Sequence, residues 1–278
     1  MNGLGRHLVM YAQLAILLAI LCPSAWAPAE EVATQPATTT APAEPPEPPL
    51  DPAVERILDR LQAKGDKIDS IEAKIEFIKI DPVLEDRQEH RGILRFKQAS
   101  PNPRFFIEFD RFRHEGITTR RKQWHVFDGR WYIEARETTA TITRREIVRP
   151  GETLEVFKLG QGPFPLPFGQ RKADILQHFS VKVLPPKTED PKHTDHLECT
   201  PRPDSEMARK YDTVHFYIDK TLDLPVRVQT REKQEGIEII ASFEDIKVNP
   251  GLVESLLNLP DLSGYETDTI PLPPADNP

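Results

Sequence analysis

The chain has 278 residues, with 36 Lys and Arg against 44 Asp and Glu, a formal charge of −8, 28 prolines and two cysteines. An acidic balance of this kind argues against a nucleic-acid partner. Two cysteines exclude a disulfide-stapled small scaffold. Taken in chain order, residues 1–27 read as a secretory signal peptide: Arg6 supplies the positive end, Leu14 to Leu21 the apolar centre, and Ala25-Trp26-Ala27 the small residues of a cleavage site. A retained anchor, or a lipoprotein signal ending at Cys22, are the alternatives. Cleavage leaves Cys199 alone, as a small buried residue with no disulfide partner.

Residues 28–50 are Pro, Ala, Thr and Glu with almost no large apolar side chains, which predicts a disordered linker. Folding is expected from 51 to 266, a span consistent with one domain. Asp51 and Pro52 open a helix whose apolar positions are Val54, Ile57, Leu58 and Leu61, and Gly65 ends it. Ile71, Ala73, Ile75 and Phe77 then alternate with polar residues, the period of a strand with one buried face. From Arg91 to Ile147 the same period recurs. Gly92, Leu94 and Phe96 share a face, as do Phe105, Ile107 and Phe109. Trp124 and Val126 lead to an Asp128-Gly129 hairpin turn and to Trp131, Ile133 and Ala135 on the return. Thr138 to Thr143 adds a run of high strand propensity.

A Pro-punctuated loop at 160–169 carries Phe164, Leu166 and Phe168, and 173–179 predicts a second helix. Further strands follow at Val181 and Val183, at 196–200, at Val214, Phe216 and Ile218, and at Leu224, Val226 and Val228. The last runs through Ile237, Ile239, Ala241 and Phe243. Ile246 and Val248 fall out of phase with it, which predicts a bulge. Val253 to Leu259 reads as a helical turn, and 267–278 as a disordered tail. A sheet of one-sided apolar strands must pack a second sheet, close into a barrel, or curl around a ligand. Periodicity leaves the three open.

Several segments resemble the LolA-like family of periplasmic lipoprotein carriers and sorting proteins. Gly92-Ile93-Leu94-Arg95-Phe96-Lys97 is similar to its strand before a Pro-containing turn, and Arg104-Phe105-Phe106-Ile107 to its aromatic strand after it. Phe127-Asp128-Gly129-Arg130-Trp131-Tyr132 resembles its hairpin, Pro163-Phe164-Pro165-Leu166 its Pro-Phe segment, and His196 to Pro201 its Thr-Pro strand end. The family's Arg directly before the Pro of the first turn has no counterpart in Lys97 to Pro101. Arg104 is the nearest, beyond the turn.

The resemblance implies a mainly β (α+β) fold, an open antiparallel half-barrel with helices covering its concave apolar face. It also implies a periplasmic monomer, free or membrane-associated, that holds acyl chains and so carries or sorts lipoproteins. Acylated lipoproteins or lipids would be the ligands, with an inner-membrane release complex and an outer-membrane acceptor as partners. The expected cavity residues are Leu94, Phe96, Phe105, Ile107, Phe109, Trp124, Trp131, Ile133, Phe164 and Phe216. The helix with Val54, Ile57, Leu58 and Leu61 would be a lid. Two alternatives use the same fold: an envelope-stress sensor or regulatory binding module, and a structural envelope protein with a filled core. The chain has no Gly-x-Ser-x-Gly elbow, Gly-rich phosphate loop or His-Glu-x-x-His. The expectation is therefore a non-enzyme without cofactor or metal, with His193 to His196 in a solvated loop and Arg120-Arg121-Lys122 and Arg144-Arg145 on a solvated sheet face.

Overall fold

The computed structural model describes residues 49–153 and 166–273. The expected leader, nearly all of the linker, and Phe164 lie outside them. Helix α1 (Pro52–Gly65) begins where Asp51 accepts the Ala53 N–H at 2.7 Å and Pro52 fixes the first turn, and Val54, Ile57, Leu58 and Leu61 form its buried stripe. Six strands follow as a meander: β1 (Ser70–Asp81), β2 (Asp86–Lys97), β3 (Arg104–His114), β4 (Ile117–Phe127), β5 (Trp131–Arg136) and β6 (Thr141–Glu146). After helix α2 (Lys172–His178) come β7 (Phe179–Leu184), β8 (Thr194–Pro201), β9 (Tyr211–Asp219), β10 (Leu224–Glu232), β11 (Glu238–Val248) and β12 (Glu266–Ile270).

All twelve strands form one sheet, in the order β12-β6-β5-β4-β3-β2-β1-β11-β10-β9-β8-β7. Pairing is antiparallel throughout except for β12, which lies parallel to β6. The two edges, β12 and β7, do not pair with each other, so the sheet stays open. Register slips at Arg91/Gly92, Phe109/Arg111, Pro225/Arg227 and Glu72/Lys74. Each slip adds a residue to one strand and bends it, which curls the sheet. The last is the bulge expected from the phase of Ile246 and Val248, with Asp245 at φ 51°. Pro225 is tolerated inside β10 because it stands at such a slip.

The turns follow from local chemistry. Asp128 accepts the Arg130 and Trp131 N–H groups, and Gly129 takes φ 100°. Asp219 accepts the Thr221 and Leu222 N–H groups in the β9–β10 turn. Glu115 and Gly116 both have positive φ, the conformation that two-residue hairpins need. Two expectations shift. The Thr-rich run does not begin as strand: Glu137 to Ala140 turn, Ala140 takes φ 49°, and β6 starts at Thr141. Residues 267–270, expected in the tail, lie in β12, because Glu266 to Ile270 find the open edge of β6.

The apolar residues fall into three clusters. On the inner face, Ile71, Ala73, Ile75, Leu94, Phe96, Phe105, Ile107, Phe109, Phe127, Tyr132 and Phe243 pack with Leu166 and Phe168. Further along the same face, the stripe of α1 and Ile175 of α2 pack on Phe179, Val181, Leu197, Cys199, Phe216 and Val228. The third cluster is on the outer face, where Phe106, Trp124, Val126, Ile133 and Ala135 are covered by Leu257. The chain is thus a mainly β, open half-barrel with its two helices against the inner face.

Candidate functional site

The inner face of β1 to β5 is apolar and buried, and Leu166 and Phe168, not the helices, pack on it. α1 packs on β7 and β10, and α2 on α1 and β7. Phe77, Gly92, Leu94, Phe96, Phe105, Ile107 and Phe109 line the other half, at alternate positions of their strands. Gly92 is required by packing. A Cβ on it would sit 1.8 Å from the Glu108 carbonyl oxygen, so β2 and β3 approach here only because the side chain is missing.

Along a diagonal from the β1–β2 and β3–β4 turns to the β4–β5 turn the face changes character. Phe77, His90, Phe109, Phe112, His125 and Tyr132 form a strip of touching rings. His90 lies 5.3 Å from Phe109 and 4.9 Å from Phe112, and His125 packs edge-on to Phe109 at 5.7 Å and stacks on Tyr132. His125 Nδ1 and the Tyr132 hydroxyl are 2.6 Å apart. Burial, helped by the nearby Arg121 guanidinium, pushes His90 down to about 4. Burial likewise pushes His125 down to about 4, against the opposing pull of Glu134. Burial raises the Tyr132 hydroxyl. Near neutral pH the strip is therefore uncharged: aromatic surface with a few neutral hydrogen-bonding atoms. Such a strip suits an apolar chain that ends in an ester or amide. It has no nucleophile activated by a base.

The expected cavity residues divide between the faces. Leu94, Phe96, Phe105, Ile107 and Phe109 come together on the inner face. Phe216 is also inner, but beneath α1, packed with Leu197 and Val228. Trp124 and Ile133, with half-buried Trp131, point the other way, a correction to the expected set. On β4 the inward residues are His125 and Phe127. Trp124 faces out and donates its indole N–H to Glu108 at 2.7 Å. Both faces of β3 to β5 are buried, so alternation within one strand could not say which residues share a face with the next. Phe164 lies outside the described residues. Val54, Ile57, Leu58 and Leu61 pack tightly on the second inner cluster.

Sequence reasoning missed Phe127, Tyr132, His90, His125 and Phe112. The available signal was parity: His90 is two residues before Gly92, and His125 two before Phe127. It also placed His196 in a solvated loop. His196 is instead buried on the outer face, 3.0 Å from His215 and 3.3 Å from Asp190, with its ring stacked on Tyr217. Among the described residues no group of three or more His, Cys, Asp or Glu is placed to hold a metal ion. Cys199 is fully buried, and burial raises its thiol well above the ordinary range, which keeps it unreactive.

No protein-family model and no curated protein matches the chain. Among solved structures, the chain is similar to an outer membrane lipoprotein-sorting protein domain from Vibrio parahaemolyticus, with 14% identity, a TM-score of 0.36, and 74% of this chain and 97% of that one covered. It is similar to a LolA superfamily protein from Nitrosomonas europaea, with 12% identity, a TM-score of 0.34, and 74% and 97% covered. It is also similar to the MucA/MucB complex of Pseudomonas aeruginosa, with 12% identity, a TM-score of 0.41, and 76% and 62% covered. Likeness at this level concerns strand architecture and does not extend to ligands.

Proposed function

We propose that this chain is a lipid- or lipoprotein-binding protein of the bacterial periplasm, holding acyl chains on the inner face of β1 to β5. The observation that carries this reading is the division of the inner face. One half is packed by α1 and α2, while the other gathers Leu94, Phe96, Phe105, Ile107 and Phe109 into a buried apolar layer, packed with Leu166 and Phe168 rather than with a helix, and ends in a strip of uncharged aromatic and imidazole rings. Each methylene buried there contributes about 0.8 kcal/mol, so one long chain is held firmly without covalent chemistry. The leader read at 1–27 supports export, and the motif resemblance supports lipoproteins as the acylated cargo. Carriage from an inner-membrane release complex to an outer-membrane acceptor is the role we assign to such a face.

A regulatory module that senses lipid with the same face is the second reading. The engagement of Arg104 favours it. Arg104 bonds Glu254 and Asn258 on the outer face and is not positioned as a latch over the inner one.

Native mass spectrometry of the full chain, purified from membranes, tests the shared claim. Co-purifying lipid or acylated peptide is expected, and the rim substitutions Phe77→Glu and His90→Glu should deplete it while leaving the fold intact. A clean apo mass that stays unchanged on adding a triacylated peptide would mean that the inner face is only core. Where ligand is found, pull-downs then separate a carrier from a sensor by the partner recovered.

A further inference from the structure

The tips of the β1–β2 and β3–β4 hairpins lie side by side at one end of the sheet, since Gln88 of β2 pairs with His114 of β3. Turns are usually built from small or polar residues. These two instead present Val83, Leu84 and Ile117, which are 75%, 74% and 67% exposed. Single exposed apolar residues are ordinary, but three large ones at one end of a molecule mark a contact surface. Their display is rigid: Asp81 accepts the N–H groups of both Val83 and Leu84 at 3.0 Å, fixing the turn with the two side chains outward. An open cleft of about 730 Å³ separates the tips; Glu85, Asp86, Glu89 and Glu115 line it as well as Arg87 and Arg113, so the cleft itself is not basic.

The charge of the β3–β4 tip is opposite to that of the chain, although Arg111, Arg113 and Lys122 there lie beside Asp110, Glu89 and Glu108. Between Arg111 and Lys122 five basic side chains stand against a single acid, Glu115, in a protein of net charge −8. Arg120 and Arg121 have no carboxylate partner among the described residues, and Arg121 lies over the Phe112 ring at 4.3 Å. On the neighbouring tip, Asp81 is occupied by its turn and Asp86 by Gln88 and His114, which leaves Glu85 as the acid facing out.

We propose that this end docks on an anionic lipid surface, with Val83, Leu84 and Ile117 entering the interface and Arg120 and Arg121 meeting phosphate headgroups. Apolar tips with Arg120 and Arg121 beside one of them match the two attractions that hold a peripheral protein at a membrane. Docking of the tips does not depend on what the inner face holds. It would, however, point the aromatic strip at the bilayer.

The test uses the full chain with Cys22→Ser, since Cys199 is buried and does not label. An environment-sensitive fluorophore is placed at Leu84→Cys, at Ile117→Cys, and at Ser180→Cys on the far edge strand as a control. Added phosphatidylglycerol–phosphatidylcholine vesicles should shift the first two labels to the blue, and nitroxide lipids should quench them. The third label should not respond, and vesicles of phosphatidylcholine alone should bind weakly. Each basic side chain near an anionic surface is worth about fivefold in affinity, so Arg120→Glu with Arg121→Glu should lower binding by at least about 25-fold. The proposal is overturned if the labels at 84 and 117 stay water-exposed while the protein sediments with the vesicles, if no binding occurs, or if the arginine substitutions leave affinity unchanged.

Discussion

Arg104 and Glu254 stand 150 positions apart and meet at 2.5 Å on the outer face. Lys97 holds the same carboxylate from β2, and Arg104 also reaches Asn258 at 2.9 Å. Together they fasten the segment that carries Leu257 across Trp124, Val126 and Ile133. The outer face of β3 to β5 would otherwise expose two tryptophans and a phenylalanine. Closing this strap therefore takes these side chains out of water.

Leu257 is fully buried in that contact. Leu257→Ala should destabilise the protein by about 2–4 kcal/mol in chemical denaturation, and hydrogen exchange should quicken first between residues 252 and 265. Glu254 is exposed, so Glu254→Gln should act mainly on strap dynamics. The hydrogen bond from Lys97, with Arg104 adding to it, holds the Glu254 carboxyl below its usual value. A depressed acid stabilises the fold above its unfolded-state value and loses that contribution as pH falls through the folded one. Strap protection should therefore be flat at neutral pH and fall in the acid range, and Glu254→Gln should remove this dependence.

The two imidazoles of the inner strip act over a different window. Both titrate near 4 in the fold, against 6.5 for a free imidazole. Between these values the unfolded chain binds more protons than the folded one, so stability rises with pH across the window and is lost as pH drops through it. For His125, the more deeply buried of the two, the full effect is on the order of 3 kcal/mol. Urea midpoints measured from pH 4 to pH 7 should show this slope in the wild type and a shallower one in His125→Gln. Equal slopes would show that His125 can charge without leaving its site.

Gly92→Ala should be costly although it adds one methyl group. Its Cβ would overlap the Glu108 carbonyl, a backbone atom that cannot move aside without shifting β3. A loss of about 3 kcal/mol or more is expected, at the upper end for single substitutions. A mild effect in thermal and chemical unfolding would mean that β2 and β3 can separate here.

How much of this was legible in the sequence depended on whether one strand sufficed to decide it. Asp51-Pro52 with the Val54 stripe defines α1 by itself, and the phase slip at Ile246 revealed its own bulge. The strap was not legible: Leu257 and Tyr265 are too sparse to announce a segment that covers a face. Nor was the side on which Trp124 falls. That depends on the two-residue turn at Glu115-Gly116 and on the slip at Phe109/Arg111, which set the register of β4 against β3. The run Phe105-Phe106-Ile107 did hint that both faces were buried, because an alternating strand would not place large apolar residues at three successive positions.

That division of faces gives the sharpest test of the proposed function. Trp124 and Phe77 are both aromatic, yet they lie on opposite sides of the sheet. Trp124→Phe removes an indole N–H from Glu108 while keeping most of the buried area. It should cost about 1 kcal/mol or somewhat more, since the acceptor is charged, and leave uptake of a fluorescent acyl probe unchanged. Phe77→Glu places a charge on the rim of the inner face, where the residue is only half-buried, so the fold should tolerate it better than the ligand does. Probe affinity should fall at least about tenfold, corresponding to 1.4 kcal/mol. If both substitutions reduce uptake in proportion to their loss of stability, the inner face is packing and not a binding surface. If Phe77→Glu lowers uptake beyond its loss of stability and Trp124→Phe does not, the acyl chain is held where β1 to β3 gather Leu94, Phe105 and Phe109.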